Sequence, residues 1–438
     1  MMASARWRTL ARLACTASIP LLGGVGCSLL VDTSGLSNGT SASGPQAQPD
    51  GGLADGGSQG DGALLDSESG VPAVPDVLLG AGGLSTCAAR RAAIWCWGDN
   101  ASGQLGDGTT ARRTAPVPVL ALPGGDVTAL GVGETHTCAV IGGDAYCWGA
   151  GGAGQLGDGR KADSTIPVKV TGLPAGKVTQ VSCGTNFSCA VAAGGAYCWG
   201  TNGSGQVGNP VGSSVGTPVS VVTAAGSALT GVADVSSGED HACALLASGD
   251  IDCWGHNDNG TLASSTLAVN AVATKAVKVE GLPGPAQKVA IAGWHGCAIV
   301  GGAVWCWGTG TAGELGNGGS ASSATPVAAA GLSSSVTTLA IGGGSSDGDA
   351  TCAVRSGTTM CWGNAQSGRL GDGQTSARGV PVAVMNLPVD VVTVAAAFDH
   401  ACALRGTGEI RCWGQGKQGQ LGDGAGVDRP APVVVALP

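Results

Sequence analysis

The sequence predicts an all-β fold, a seven-bladed β-propeller of four-stranded blades. Three observations lead there: a motif that recurs seven times, four short apolar runs in each recurrence, and a glycine-rich composition. Cys-Trp-Gly occurs with its cysteine at 96, 147, 198, 253, 306, 361 and 412, at spacings of 51, 51, 55, 53, 55 and 51 residues. In the second unit the apolar runs are residues 127–132, 137–141, 144–148 and 166–170, with GAGQLGDG joining the last two. Runs this short, bounded by turn residues, are strands, and four per unit at this period form radial blades. With 80 glycines and only 12% charged residues in 438, the chain suits tight turns and suits long helices poorly.

The fourth run of most units carries a proline just ahead of valine, at Pro116, Pro167, Pro218, Pro326, Pro381 and Pro432. Proline has no N–H to give to a ladder, so this strand is predicted at the blade edge. The fourth unit departs from the pattern. Residues 271–279 hold no proline, and Gly260-Thr261-Leu262-Ala263 replaces Gly-Gln-Leu-Gly, which leaves its connecting loop the least predictable.

Seventeen cysteines imply an oxidising compartment. Fourteen fall into matched pairs: Cys87-Cys96, Cys138-Cys147, Cys189-Cys198, Cys243-Cys253, Cys297-Cys306, Cys352-Cys361 and Cys402-Cys412. In the second unit a two-residue turn at Gly142-Gly143 pairs Ile141 with Asp144, and three steps on it sets Cys138 opposite Cys147. Alternation makes that a non-hydrogen-bonded pair, where side chains approach most closely, so a cross-strand disulfide is expected. Two pairs have one extra residue, which Gly249 and Gly408 can absorb as a bulge. The Arg91-Ala92 turn of the first unit has no glycine and is the least secure hairpin. Cys183 has no counterpart and reads as a buried thiol, while Cys15 falls in the leader.

That leader is residues 1–26, where Arg6, Arg8 and Arg12 precede an apolar stretch over 13–25, too short for a bilayer and shaped as a signal peptide. Gly24-Val25-Gly26-Cys27 resembles the bacterial lipobox, so Cys27 is the expected lipidation site, and contact with a membrane is expected only through that anchor. The expected location is the bacterial cell envelope, lipid-anchored, or the secreted space. Residues 27–75 form a low-complexity acidic linker, with six acidic residues and no Lys or Arg between 32 and 75. The repeats then fill residues 76–438. Removing the linker's −6 and the leader's +3 from the total of −9 leaves −6 for this part. A chain so acidic lacks the clustered cations that nucleic acid requires, and no nucleic-acid partner is expected.

His-x-Cys-Ala, Cys-Trp-Gly and Gly-Gln-Leu-Gly, as in residues 136–139, 147–149 and 154–157, closely resemble the regulator of chromosome condensation repeat over residues 76–438. The resemblance implies a seven-bladed propeller. It leaves function open, because that family includes a nucleotide exchange factor, a plant ultraviolet receptor and a secreted β-lactamase inhibitor. Exchange activity is not expected, since the unit spacings leave little room for an inserted wedge and export would separate the chain from a cytosolic GTPase.

The tryptophan after each second cysteine points to the opposite strand face from the disulfide and reads as packing between blades. His136, His241, His295 and His400 share one repeat position and read as structural, each hydrogen-bonding its own turn. No CxxC or HExxH spacing occurs, every candidate nucleophilic thiol but Cys183 is half of a pair, and Tyr146 and Tyr197 occupy one strand position in adjacent units. No enzyme activity, metal or cofactor is therefore expected. The blade-specific residues ahead of each first cysteine form a candidate binding face of Glu134, Glu239, Asp240, Trp294, Asp349, Phe398 and Asp399. It combines five acidic groups with two exposed aromatic anchors, suited to a basic or mixed protein partner of a monomeric propeller. The reading is an exported, membrane-tethered scaffold for protein–protein interaction. A secreted enzyme inhibitor is the alternative and a propeller hydrolase the second.

Overall fold

The computed structural model describes residues 77–344 and 348–438. Within them the chain forms seven antiparallel sheets, each of four consecutive strands paired in chain order. The blades span residues 77–118, 127–169, 178–220, 232–278, 286–328, 336–383 and 391–435. In blade 2 the strands are Val127–Val132, His136–Ile141, Asp144–Gly149 and Ser164–Lys169, each within two residues of the sequence expectation. The first strand of every blade faces the axis and touches the first strands of its neighbours; the fourth is the outer edge. Among the described residues no helix is long and apolar enough to cross a membrane.

The ring closes without interlocked termini. Blades 1 and 7 are each complete, and Val77–Gly82 packs against Val391–Ala396 and His400–Arg405. Closure uses the same contact that joins every other pair of blades. Each Cys-Trp-Gly tryptophan is fully buried and donates its indole N–H to a main-chain carbonyl in the preceding blade. Trp148, Trp199 and Trp254 donate to Gln104, Gln155 and Gln206, and Trp307, Trp362 and Trp413 to Thr261, Glu314 and Arg369. Trp97 of blade 1 completes the circle on Gln420 of blade 7 at 2.9 Å. Burying an indole removes about 150–250 Å² from water, roughly 4–6 kcal/mol of transfer free energy before ordering costs. The N–H bond satisfies the one polar atom that would otherwise oppose that burial.

Glycine follows the Gln-Leu pair for a steric reason. Gly106 has φ of 69°, and a Cβ there would stand 2.8 Å from the Trp148 indole nitrogen. In blade 4 Ala263 holds that position with φ of 44°, against 67–71° for its six glycine counterparts. The divergent loop still buries Leu262 and still presents the Thr261 carbonyl.

All seven cysteine pairs are bonded, with Cα atoms 4.0–4.1 Å apart. The longer turns close with Gly249 and Gly408 at φ of 85° and 86°, which keeps Cys243 opposite Cys253 and Cys402 opposite Cys412. The glycine-free turn of blade 1 closes with Arg91 at φ of 53°, and Arg90 still pairs with Ala93.

The missing edge proline of blade 4 has a structural counterpart. Proline precedes the valine that pairs with the second cysteine in six blades; in blade 4 that position is Ala276, beside Val277. The Ala276 N–H donates to the Val222 carbonyl at 2.9 Å, and Thr223 forms a parallel bridge to Ala276. Residues after the outer strand of blade 3 thus cap the blade 4 edge, a bond proline would forbid.

Candidate functional site

The loops joining first to second strands surround one mouth of the axial channel. The mouth holds a cavity of about 290 Å³ whose wall includes Gly83, Gly133, Gly184 and Gly238, so main chain approaches the axis closely. Glu134, Thr185, Glu239 and Phe398 project among these glycines. Burial raises the Glu134 carboxyl above its ordinary value, opposed by a hydrogen bond with Thr185. Glu239 is pushed up to about 7, first by burial and then by repulsion from Asp240, Asp349, Glu134 and Asp258. Its buried Oε2 has no hydrogen-bond partner.

The expected ring of five free acids and two exposed aromatics needs correction at four positions. Asp349 is only 2% exposed: its Oδ2 accepts from the Trp294 N–H at 3.0 Å and from His295 Nδ1 at 2.8 Å. A Cβ on Gly293 or Gly343 would collide with this carboxylate, so glycines of two blades make its niche. Asp399 is neutralised by Arg369, whose Nη2 lies 2.6 Å from its Oδ1. Arg369 replaces glutamine in the Gly-Gln-Leu-Gly pattern of blade 6, the one sequence signal for this pair. Trp294 and Phe398 are half-buried rather than exposed. What the fold leaves lining the cavity is Glu134 and Glu239 with the Phe398 ring, while Asp240 faces His256 Nδ1 at 3.3 Å. Cys27 lies outside the described residues.

The repeated histidines also differ from expectation. His136, His295 and His400 bond to the next blade, because each sits at the start of a second strand facing the following blade's equivalent strand, whereas neither ring nitrogen of His241 has a hydrogen-bond partner. His136 Nε2 lies 2.8 Å from Ser188 Oγ, His295 Nε2 2.7 Å from Thr351 Oγ1, and His400 Nε2 2.7 Å from Thr86 Oγ1. Ser188 and Thr86 in turn donate to the Gln155 and Gln420 carbonyls, so these two imidazoles act as donors. Burial drives His136 down to about 4, and burial with the nearby Arg369 drives His400 down to about 3, so both are neutral spacers. Cys183 is buried, its thiol pushed up to about 12 by that burial, and its Sγ donates to the Gly131 carbonyl at 3.4 Å.

Deeper in the channel the polar groups include Gln180 and an ion pair, Lys288 Nζ to Asp234 Oδ2 at 2.8 Å. Tyr146 and Tyr197 sit on third strands opposite Ala139 and Ala190 and pack in the blades.

The model described as Regulator of chromosome condensation (RCC1) repeat matches residues 92–140, 142–191, 193–245, 301–346 and 356–404, and a second model of that description matches 178–206, 232–261 and 391–420. The chain belongs to the RCC1 repeat family. Each RCC1 match begins near the third strand of one blade, and all but 301–346 end in the second strand of the next, so the sequence unit straddles the boundary between blades. The ultraviolet-B receptor UVR8 of Arabidopsis thaliana is 30% identical over 370 residues, covering 82% of this chain and 81% of the receptor. The human E3 ubiquitin-protein ligase HERC2 is 30% identical over 375 residues, 83% of this chain but 7% of the ligase. Among solved structures, yeast RCC1 (Prp20), crystallised with Kap60, superposes with TM-score 0.68 at 22% identity, covering 79% of this chain and 84% of that one. Human WBSCR16 gives 0.67 at 21%, covering 79% and 94%. At such identities these structures show the fold alone. RCC1-like propellers commonly mediate protein interactions.

Proposed function

We propose that this RCC1-repeat propeller is an exported, membrane-tethered and non-enzymatic scaffold, and that its acidic channel mouth receives a basic side chain of a partner protein. The observation that carries the binding role is the pair Glu134 and Glu239. Both carboxyls are partly withdrawn from water and raised, and Glu239 is repelled by four other acids. A cation entering between them lowers the cost of ionising both. Phe398 adds an apolar and π-rich wall on which a guanidinium or ammonium can lie. Export and anchoring through Cys27 are supported by the leader composition, the lipobox-like residues and seven bonded cysteine pairs, which suit an oxidising compartment.

The test is affinity capture from an envelope fraction with the full chain and with a Glu134→Gln/Glu239→Gln/Phe398→Ala variant, in chelator, at low and moderate salt. A partner retained at moderate salt by the parent and lost by the variant supports the reading. Identical capture by both overturns it. A single tight partner that is itself an enzyme inhibited on binding would make the protein an inhibitor.

A further inference from the structure

The sequence carries no metal-binding spacing, yet the fold gathers three ligands at the rim of the mouth. Asp240 precedes the second strand of blade 4, His256 ends its third strand, Ile251–His256, and Asp258 opens the short 3-10 turn Asp258–Gly260. The hairpin brings these ends together: His256 Nδ1 lies 2.8 Å from Asp258 Oδ2 and 3.3 Å from Asp240 Oδ2. One donor atom from each residue falls within 4.8 Å of the other two. Ligands about 2.0–2.2 Å from a tetrahedral zinc stand roughly 3.3–3.6 Å apart, a spacing near the two that His256 Nδ1 makes with the carboxylates.

A second observation points to the same place. His241 is 1% exposed, and neither of its ring nitrogens has a hydrogen-bond partner. Its Nδ1 faces Asp240 Oδ1 at 3.9 Å, just beyond bonding distance. A buried imidazole directed at a metal-binding carboxylate is the usual outer support of such a site, donating to one oxygen while the other holds the metal.

We propose that Asp240, His256 and Asp258 bind a divalent cation of the zinc class, with His241 as the positioning residue for Asp240 and a fourth coordination position open to solvent. Two carboxylates and one imidazole neutralise a dication and favour zinc over calcium, which takes six or more oxygens. The site lies beside the Glu134–Glu239 mouth and does not depend on partner binding there.

Isothermal titration of the chelator-dialysed full chain with Zn²⁺ is the test, alongside Ca²⁺ and the variants His256→Gln, Asp258→Asn and, as a control, Asp126→Asn. One zinc per chain is expected, with affinity reduced about tenfold or more by His256→Gln and by Asp258→Asn and unchanged by Asp126→Asn. Near-UV circular dichroism of the buried tryptophans verifies that each variant is folded. Absence of zinc binding, calcium bound in preference to zinc, or zinc bound equally by a His256→Gln/Asp258→Asn double variant would overturn the proposal. Because capture is performed in chelator, loss of one reading leaves the other standing.

Discussion

Replacing Glu239 by Gln should stabilise the protein at alkaline pH and leave it unchanged in acid. In the folded chain the Glu239 carboxyl is raised from 4.5 to about 7 by burial and then by Asp240, Asp349, Glu134 and Asp258. The unfolded chain gives up this proton near pH 4.5, while the folded chain keeps it until about pH 7. Unfolding therefore releases a proton between those values. The stability this group contributes is fully present below pH 4.5 and is lost as pH rises through 7. At about 1.4 kcal/mol per pH unit the difference is roughly 3 kcal/mol, and screening of a half-exposed carboxylate reduces it to about 1–2 kcal/mol. Glutamine keeps the shape and removes the charge. Denaturant midpoints followed by tryptophan fluorescence, with the disulfides intact, should coincide for the two proteins at pH 4.5 and favour the variant at pH 8.5. The depressed histidines His136 and His400 destabilise both proteins alike in acid, so they cancel. An equal gain at both pH values, or none at pH 8.5, would refute the reasoning, because the carboxylate would then be neither desolvated nor repelled.

Three further outcomes test the blade contacts. Trp254→Phe removes the indole donor from the Gln206 carbonyl and leaves a small void, and should cost about 2–3 kcal/mol by denaturant titration. Ala263→Gly places glycine where φ is 44°; relief of about 1–2 kcal/mol of left-handed strain, less the extra entropy of glycine, should give a net gain of about 0.5–1 kcal/mol. Ala276→Pro breaks the bond to the Val222 carbonyl and should speed proteolysis within residues 222–231, while the six blades with native edge prolines are unaffected.

The fold was legible because its determinants are local. Turn glycines, alternation along each strand and the cysteine register all act within one hairpin, and Cys138 meets Cys147 as counting from Gly142-Gly143 requires. The candidate site was legible only in part, since most of its residues are completed by groups distant in the chain: Glu134 by Thr185, Asp349 by His295 and Asp399 by Arg369, while Asp240 meets His256 of its own blade. Position equivalence within the repeat therefore does not fix environment. Asp240, Asp349 and Asp399 occupy one repeat position, yet the first meets two imidazoles, the second is enclosed by Gly293 and Gly343, and the third pairs with Arg369.

The histidines make the same point from the other side. His136, His295 and His400 each meet a hydroxyl on the next blade, but His241 meets blade 5, where Gly296 stands in the place of Ser188, Thr351 and Thr86. Without that hydroxyl its Nε2 is unpartnered, and its Nδ1 turns toward an acid that is itself shared with His256. Burial opposes ionisation of Asp240, and the two imidazoles outweigh it, holding this carboxyl below its ordinary value while Glu239 beside it is held far above. One departure from the repeat in blade 5 thus coincides with an ionised carboxylate at the rim of blade 4, at the place where a cation would be held.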